Sequence, residues 1–121
     1  MKELESLASE QFCYLTTTGR KSGKRHTIEI WFAIAPGSRT LYMLSGGRDR
    51  SDWVKNIRHN QDVEVRMASS SFDGQGRIVE RQDEDRLARR LVVAKYYGRD
   101  QVYSSGWEAE SLPVAVDFGA R

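Results

Sequence analysis

Apolar positions along the chain recur with periods that divide it into short elements. Over residues 2–11, Leu4, Leu7 and Ala8 fall at helical spacing and predict a short amphipathic helix. The β-branched and aromatic run FCYLTTT (12–18) predicts a strand. Residues 26–35 alternate, with Ile28, Ile30, Phe32 and Ile34 on one face and Thr27, Glu29, Trp31 and Ala33 on the other. The turn residues PGSR (36–39) then predict a hairpin into a strand over 40–45.

Gly46 and Gly47 end that strand. Ser51 is placed to cap a short helix over 52–60 that packs through Trp53, Val54 and Ile57. Strands are expected over 62–68 and 71–81, the second with a glycine-containing kink or turn near 74–76. Asp83 can cap a longer helix through about Tyr97, with Leu87, Leu91 and Ala94 on one face and Gly98 as its stop. Its first turn holds Asp83, Glu84 and Asp85, where the helix dipole favours acids. A last strand covers 112–118. Mostly sequential strands with short turns predict a mainly β (α+β) fold, a small antiparallel barrel with flanking helices.

A chain of 121 residues is the size of one domain, so residues 1–121 are expected to form a single one. Mean hydropathy is −0.63, so the apolar residues must be concentrated in patterned elements, and pairing with a second copy would help. Cys13, the single cysteine, excludes an internal disulfide and any cysteine-based metal site, and it reads as a buried, inert thiol. His26 and His59 are not at ligand spacing, so no metal is expected. The N-terminus lacks the apolar stretch of a signal peptide and no run could span a membrane, which predicts a cytoplasmic protein.

Charge changes the picture more. Net charge is only +2, yet residues 19–60 carry nine Lys or Arg against three acids, or +6. The rest carry ten against fourteen, or −4. A local anionic ligand is expected rather than a wholly basic surface. The densest stretch is TTGRKSGKR (17–25), where Arg20, Lys21, Lys24 and Arg25 surround Ser22 and Gly23. Glycine lets backbone N–H groups approach an anion, and Arg adds a bidentate fork. The spacing is not that of a P-loop, because a strand follows it. On its own it could equally be a hairpin tip made soluble by charge.

The second basic stretch, SGGRDRSDW (45–53), places Gly46, Gly47, Arg48 and Arg50 before a helix N-terminus. Two such stretches flanking the strands 26–45 could converge on one extended anion. Trp31, Tyr42 and Trp53 are the aromatics nearest by sequence for stacking on a planar group, although core packing explains them as well. No nucleophile–base pair or carboxylate pair is visible, so no catalytic residue is assigned, and the reactive group is expected to belong to a cofactor.

The segments YLTTTGRKSGKRHTIEIWF, LSGGRDRSDWVKNIRHNQDVEVR and LARRLVVAKYYG, with the late LPVAVDF, follow one another over nearly the whole chain. In that order they resemble the deazaflavin (F420)-dependent nitroreductase and quinone-reductase family, whose split β-barrel is related to pyridoxamine-phosphate-oxidase-like flavin binders. The resemblance implies coenzyme F420 as cofactor and hydride transfer to an electron-poor small molecule such as a quinone, nitro compound or unsaturated ring. It implies that Arg20, Lys21, Ser22, Gly23, Lys24 and Arg25 form the phosphate-binding loop. Ser45, Gly46, Gly47, Trp53 and Asn56 fall on its second cofactor-contacting segment, with Trp31 or Trp53 holding the ring and Arg48 or Arg50 meeting the glutamate tail. A homodimer is expected. The alternatives are an FMN-binding reductase of the same fold, a cofactor binder without turnover, and a barrel for single-stranded nucleic acid. Nucleic acid is disfavoured because the basic charge is confined to two loops.

Overall fold

The computed structural model describes residues 2–119. Its elements are α1 (Lys2–Ser6), β1 (Cys13–Thr18), β2 (Arg25–Ile30), β3 (Ala33–Ile34), β4 (Thr40–Ser45) and a 3-10 turn (Arg48–Arg50). There follow α2 (Asp52–His59), β5 (Asp62–Met67), β6 (Ser70–Ile78), α3 (Gln82–Tyr97), α4 (Trp107–Glu110) and β7 (Leu112–Phe118). All strand pairs are antiparallel, in the order β2-β1-β5-β6-β7-β4-β3.

That order forces the sheet to curl. β2 and β3 are its opposite edges, yet only Trp31 and Phe32 separate them in the chain. Seven flat strands would span roughly 29 Å from edge to edge. The three Cα steps from Ile30 to Ala33 reach roughly 11 Å at most. The edges must therefore approach each other, and because they do not pair, the barrel is split at this seam. The alternating run 26–35 is thus two strands rather than one. Its break is held by Tyr96 of α3, whose hydroxyl accepts the Phe32 N–H at 3.0 Å. The Gln11 and Phe32 carbonyls lie 2.8 and 3.1 Å away as acceptors for the hydroxyl proton.

The two halves of the sheet are covered differently. β1 and β5 alternate between buried and more open positions, with Cys13, Leu15, Val63 and Val65 turned to the barrel core. β4 and β7 are buried almost throughout, because α3 lies on their outer face. Ala88 packs there with Tyr42 and Ala115, and Val92 with Ala33 and Leu44. The packed stripe of α3 therefore runs through Ala88, Val92 and Val93, while Ala94 is exposed. The helix begins one residue before Asp83, which sits in its first turn and does not cap it. Gly98 ends it as expected, at φ 67° with its N–H on the Ala94 carbonyl. α1 is also shorter than the pattern suggested, ending at Ser6.

Gly74 and Gly76 do not kink β6, which runs unbroken. They allow close approach instead. A Cβ at Gly74 would lie 2.6 Å from Val116 Cγ1, and one at Gly76 3.0 Å from Ile57 Cδ1 of α2. Cys13 is fully buried, and desolvation pushes its thiol up to about 12, so it is inert at neutral pH.

A charged cluster pins the start of α3 to the sheet. Arg77 donates to both Glu84 oxygens at 2.8 and 2.7 Å and to Asp117 at 2.6 Å, while the Tyr42 hydroxyl donates to Glu84 at 2.7 Å. The Arg77 hydrogen bonds, and after them Tyr42, hold the Glu84 carboxyl down to about 2 against the opposing effect of burial. A carboxyl depressed in the folded state stabilises it above the unfolded pKa near 4.5, and this contribution is lost as pH falls towards 2. Arg77 is about a third exposed, so solvent screening reduces the effect to roughly 1–3 kcal/mol. Glu84→Gln should lower stability by that amount at pH 7 and flatten the acid limb between pH 4.5 and 2. Urea unfolding at several pH values measures both, and identical acid limbs in the two proteins would count against the assignment.

Candidate functional site

The basic loop is the tip of the β1–β2 hairpin. Gly19 N–H meets the Lys24 carbonyl at 2.7 Å, Gly23 N–H meets the Gly19 carbonyl at 2.9 Å, and Lys24 N–H meets Ser22 Oγ at 3.1 Å. Gly23 takes φ +73°, a left-handed conformation that costs a glycine little. These bonds fold the loop back on itself and leave its cations outermost. Lys21 and Lys24 are exposed and make no ion pair among the described residues.

Helix α2 packs beside this tip, and a cleft of about 520 Å³ opens between them. Arg20, Lys21, Ser22 and His26 give it a polar, cationic wall, and Trp53 with Ile28 an apolar one. Asn56 joins the two. It is 4% exposed, and its Oδ1 accepts the Arg20 backbone N–H at 3.2 Å and Arg20 Nη1 at 2.9 Å. Its Nδ2 donates to Thr17 Oγ1 at 3.2 Å. On the rim, Asp52 accepts from Arg20 Nη2 at 3.3 Å.

The other candidates lie outside this lining. Arg25 pairs with Glu64 at 3.2 Å and borders a second cleft with Asp62 and Asp73. Trp31 stacks on Tyr96, with ring centroids 4.2 Å apart and planes 5° apart, and meets Tyr97 and Trp107 edge-on. Ser45 is 2% exposed and ties down the segment before α2, its hydroxyl 2.9 Å from both the Arg48 carbonyl and Ser51 Oγ. Ser51 precedes α2 without a side-chain capping bond. A Cβ at Gly47 would come 2.5 Å from Ser51 Oγ, so a side chain there would make that hydroxyl turn away from its place beside Ser45. Arg48 Nη1 donates to the Glu110 and Ser111 carbonyls at 2.6 and 3.0 Å, fastening the segment to α4 and β7. Gly46 and Arg50 are exposed.

Thr17, Gly19, His26, Thr27, Ile28 and Asp52 line the cleft although the sequence reading did not assign them to the site. The hairpin register would have found most of them. It pairs Thr17 with His26, Thr16 with Thr27 and Leu15 with Ile28, so placing the loop at the tip places these residues below it.

Three solved structures show how widely the fold is shared. A conserved hypothetical protein from Mycobacterium tuberculosis superposes with a TM-score of 0.78 at 19% identity, over 98% of this chain and 81% of that one. An F420-H2 dependent reductase, FDR-A, gives 0.64 at 23%, over 88% and 94%. The heme storage protein HutZ from Vibrio cholerae gives 0.69 at 13%, over 99% and 90%. At such identities the likeness speaks for the fold alone. The sequence profile of the F420H2-dependent quinone reductase family matches residues 2–118, almost the whole chain. The protein belongs to that family, oxidoreductases whose cofactor is coenzyme F420.

Proposed function

We propose that the protein transfers a hydride from reduced coenzyme F420 to an electron-poor acceptor, a quinone, nitro compound or unsaturated ring. The observation that carries this reading is a cleft with one cationic and one aromatic wall, joined by a single buried amide. Its donors fit the cofactor's chemistry. The Arg20 guanidinium, the Lys21 ammonium and the Ser22 hydroxyl suit a phosphodiester, and the Trp53 indole with Ile28 suits a flat ring. Gly23 and Lys24 shape and charge the same tip, with Arg25 at its base. Ser45, Gly46 and Gly47 lead into α2 and support a second contact, where exposed Arg50 is better placed for the acidic tail than Arg48, which is held by carbonyls. Trp31 enters only as a more distant aromatic neighbour.

When bound, the reduced cofactor supplies the hydride. The chain's own residues bind its charge, orient its ring against Trp53 and keep water from one side of it. Residues 1–121 are read as one domain that works as a cytoplasmic homodimer. The homodimer is part of the proposal because the chain's apolar content is modest, and a second copy would cover some of the large side chains left exposed, Phe12, Tyr97, Tyr103 and Trp107.

Calorimetric titration with coenzyme F420, FMN and a single-stranded oligonucleotide tests the binding reading. Coenzyme F420 should bind at least tenfold more tightly than either of the others, and equal or tighter oligonucleotide binding would sink it. Because the cofactor carries the reaction, His26→Gln and His59→Gln should each keep single-turnover oxidation by a quinone within about tenfold, a barrier change of about 1.4 kcal/mol. His26 is the sharper test because it lines the cleft. A thousandfold loss with cofactor still bound would make it an essential acid or base.

A further inference from the structure

We propose that Asp52 is an exchangeable counter-ion on Arg20, which an anionic group of the cofactor displaces on binding, so that Asp52 limits affinity for this site. The inference rests on the placement of coenzyme F420 in the cleft between the basic loop and α2.

The two partners of the Arg20 guanidinium differ in kind. Asn56 is almost fully buried and is also held by Thr17 and by the Arg20 backbone. Breaking its contact with Nη1, at 2.9 Å, would strand buried polar groups, which is costly. Asp52 makes one contact, at 3.3 Å to Nη2, and its side chain is 86% exposed against 25% for Arg20. An exposed, single-contact ion pair of this kind is worth little. A phosphate that offers two oxygens to the guanidinium is a stronger partner. Asp52 is the first residue of α2, where the helix dipole keeps a carboxylate comfortable once Arg20 is withdrawn. Nη1 thus keeps its place, while Nη2 exchanges one anion for another.

The pairing has a clear physical role. Four cations within six residues repel one another, and an acid on the rim relieves that repulsion while the cleft holds no ligand. The same acid makes any anion compete for Arg20, and it lowers the affinity of a small anion and of the cofactor by the same factor.

A double-mutant cycle read by calorimetry tests this with coenzyme F420 and, separately, inorganic phosphate. Asp52→Ala should tighten F420 binding about two- to fivefold, with a gain of the same proportion for phosphate. In an Arg20→Gln background the gain should shrink below 1.5-fold, because there is no guanidinium left to release. A gain of the same size in both backgrounds would mean that Asp52 acts only through its diffuse field, and no gain or a loss with Arg20 present would equally overturn the exchange. Asp52→Asn, which keeps the side chain's shape, repeats the test if the alanine variant is unstable. Arg20→Gln alone separates the two levels of inference. If it leaves F420 affinity unchanged, the cleft is not the cofactor site. If it weakens binding while the cycle shows no coupling, the site stands and the exchange falls.

Discussion

Alanine at both Arg20 and Lys21 is expected to weaken binding of coenzyme F420 more than tenfold. Each residue brings a charge to the cleft's cationic wall; a hydrogen bond to a charged group is worth about 1.5–3 kcal/mol at the largely buried Arg20, and the exposed Lys21 adds about 0–1 kcal/mol. The two losses come to roughly 1.5–4 kcal/mol, and 1.5 kcal/mol is already more than tenfold in Kd. The loop should keep its position, because the backbone N–H at residue 20 still reaches Asn56. Thermal unfolding checks that, and calorimetry at two salt concentrations measures the affinity and its electrostatic share. Arg25→Ala should cost less, since that guanidinium pairs with Glu64. Affinity within fivefold of wild type in the double variant would remove the basic loop from the cofactor site.

Phe32→Ala should lower stability by about 3–5 kcal/mol, the cost of emptying a buried aromatic position. Phe32 is fully buried at the seam where the barrel splits, and Lys95 Nζ lies 3.5 Å from its ring centroid. The ring shields Lys95 and attracts its charge. Burial already brings the Lys95 ammonium down to about 8, so losing the ring removes one of its few compensating contacts. Against a typical stability of about 5–15 kcal/mol, the loss is a large fraction. Phe32→Leu, which fills much of the space without the aromatic face, should fall clearly between the two. Urea unfolding gives all three values, and a loss below about 2 kcal/mol for the alanine variant would show that the seam is not held by this side chain.

Most of the elements were legible in the pattern of residues. The β-branched and aromatic run located β1, whose outer face remains open, and Gly98 marked the end of α3 through a left-handed cap. Where a strand is buried on both faces the pattern misleads. Ala33 and Ala35 alternate with Ile34 as though they were solvent-facing, yet all three are buried because α3 covers the outside of the sheet. The break at Trp31 and Phe32 leaves no local mark, since it depends on a hydroxyl supplied from residue 96.

The site divides along the same line. Charge density, glycine spacing and an aromatic residue in a short helix are local properties, so the basic loop and Trp53 could be read directly from the order of residues. Which of the other candidates join them depends on contacts between residues far apart in the chain. Asn56 meets Arg20 across 36 positions, while Arg48 is drawn to carbonyls 62 and 63 positions away and Trp31 turns to Tyr96. A side chain's partners are chosen by whatever the folded sheet brings within hydrogen-bond or van der Waals reach. Local sequence therefore determined that this protein carries a basic, glycine-bearing loop and an aromatic helix. Only the curling of the sheet decided that they share one cleft, with Asp52 on its rim.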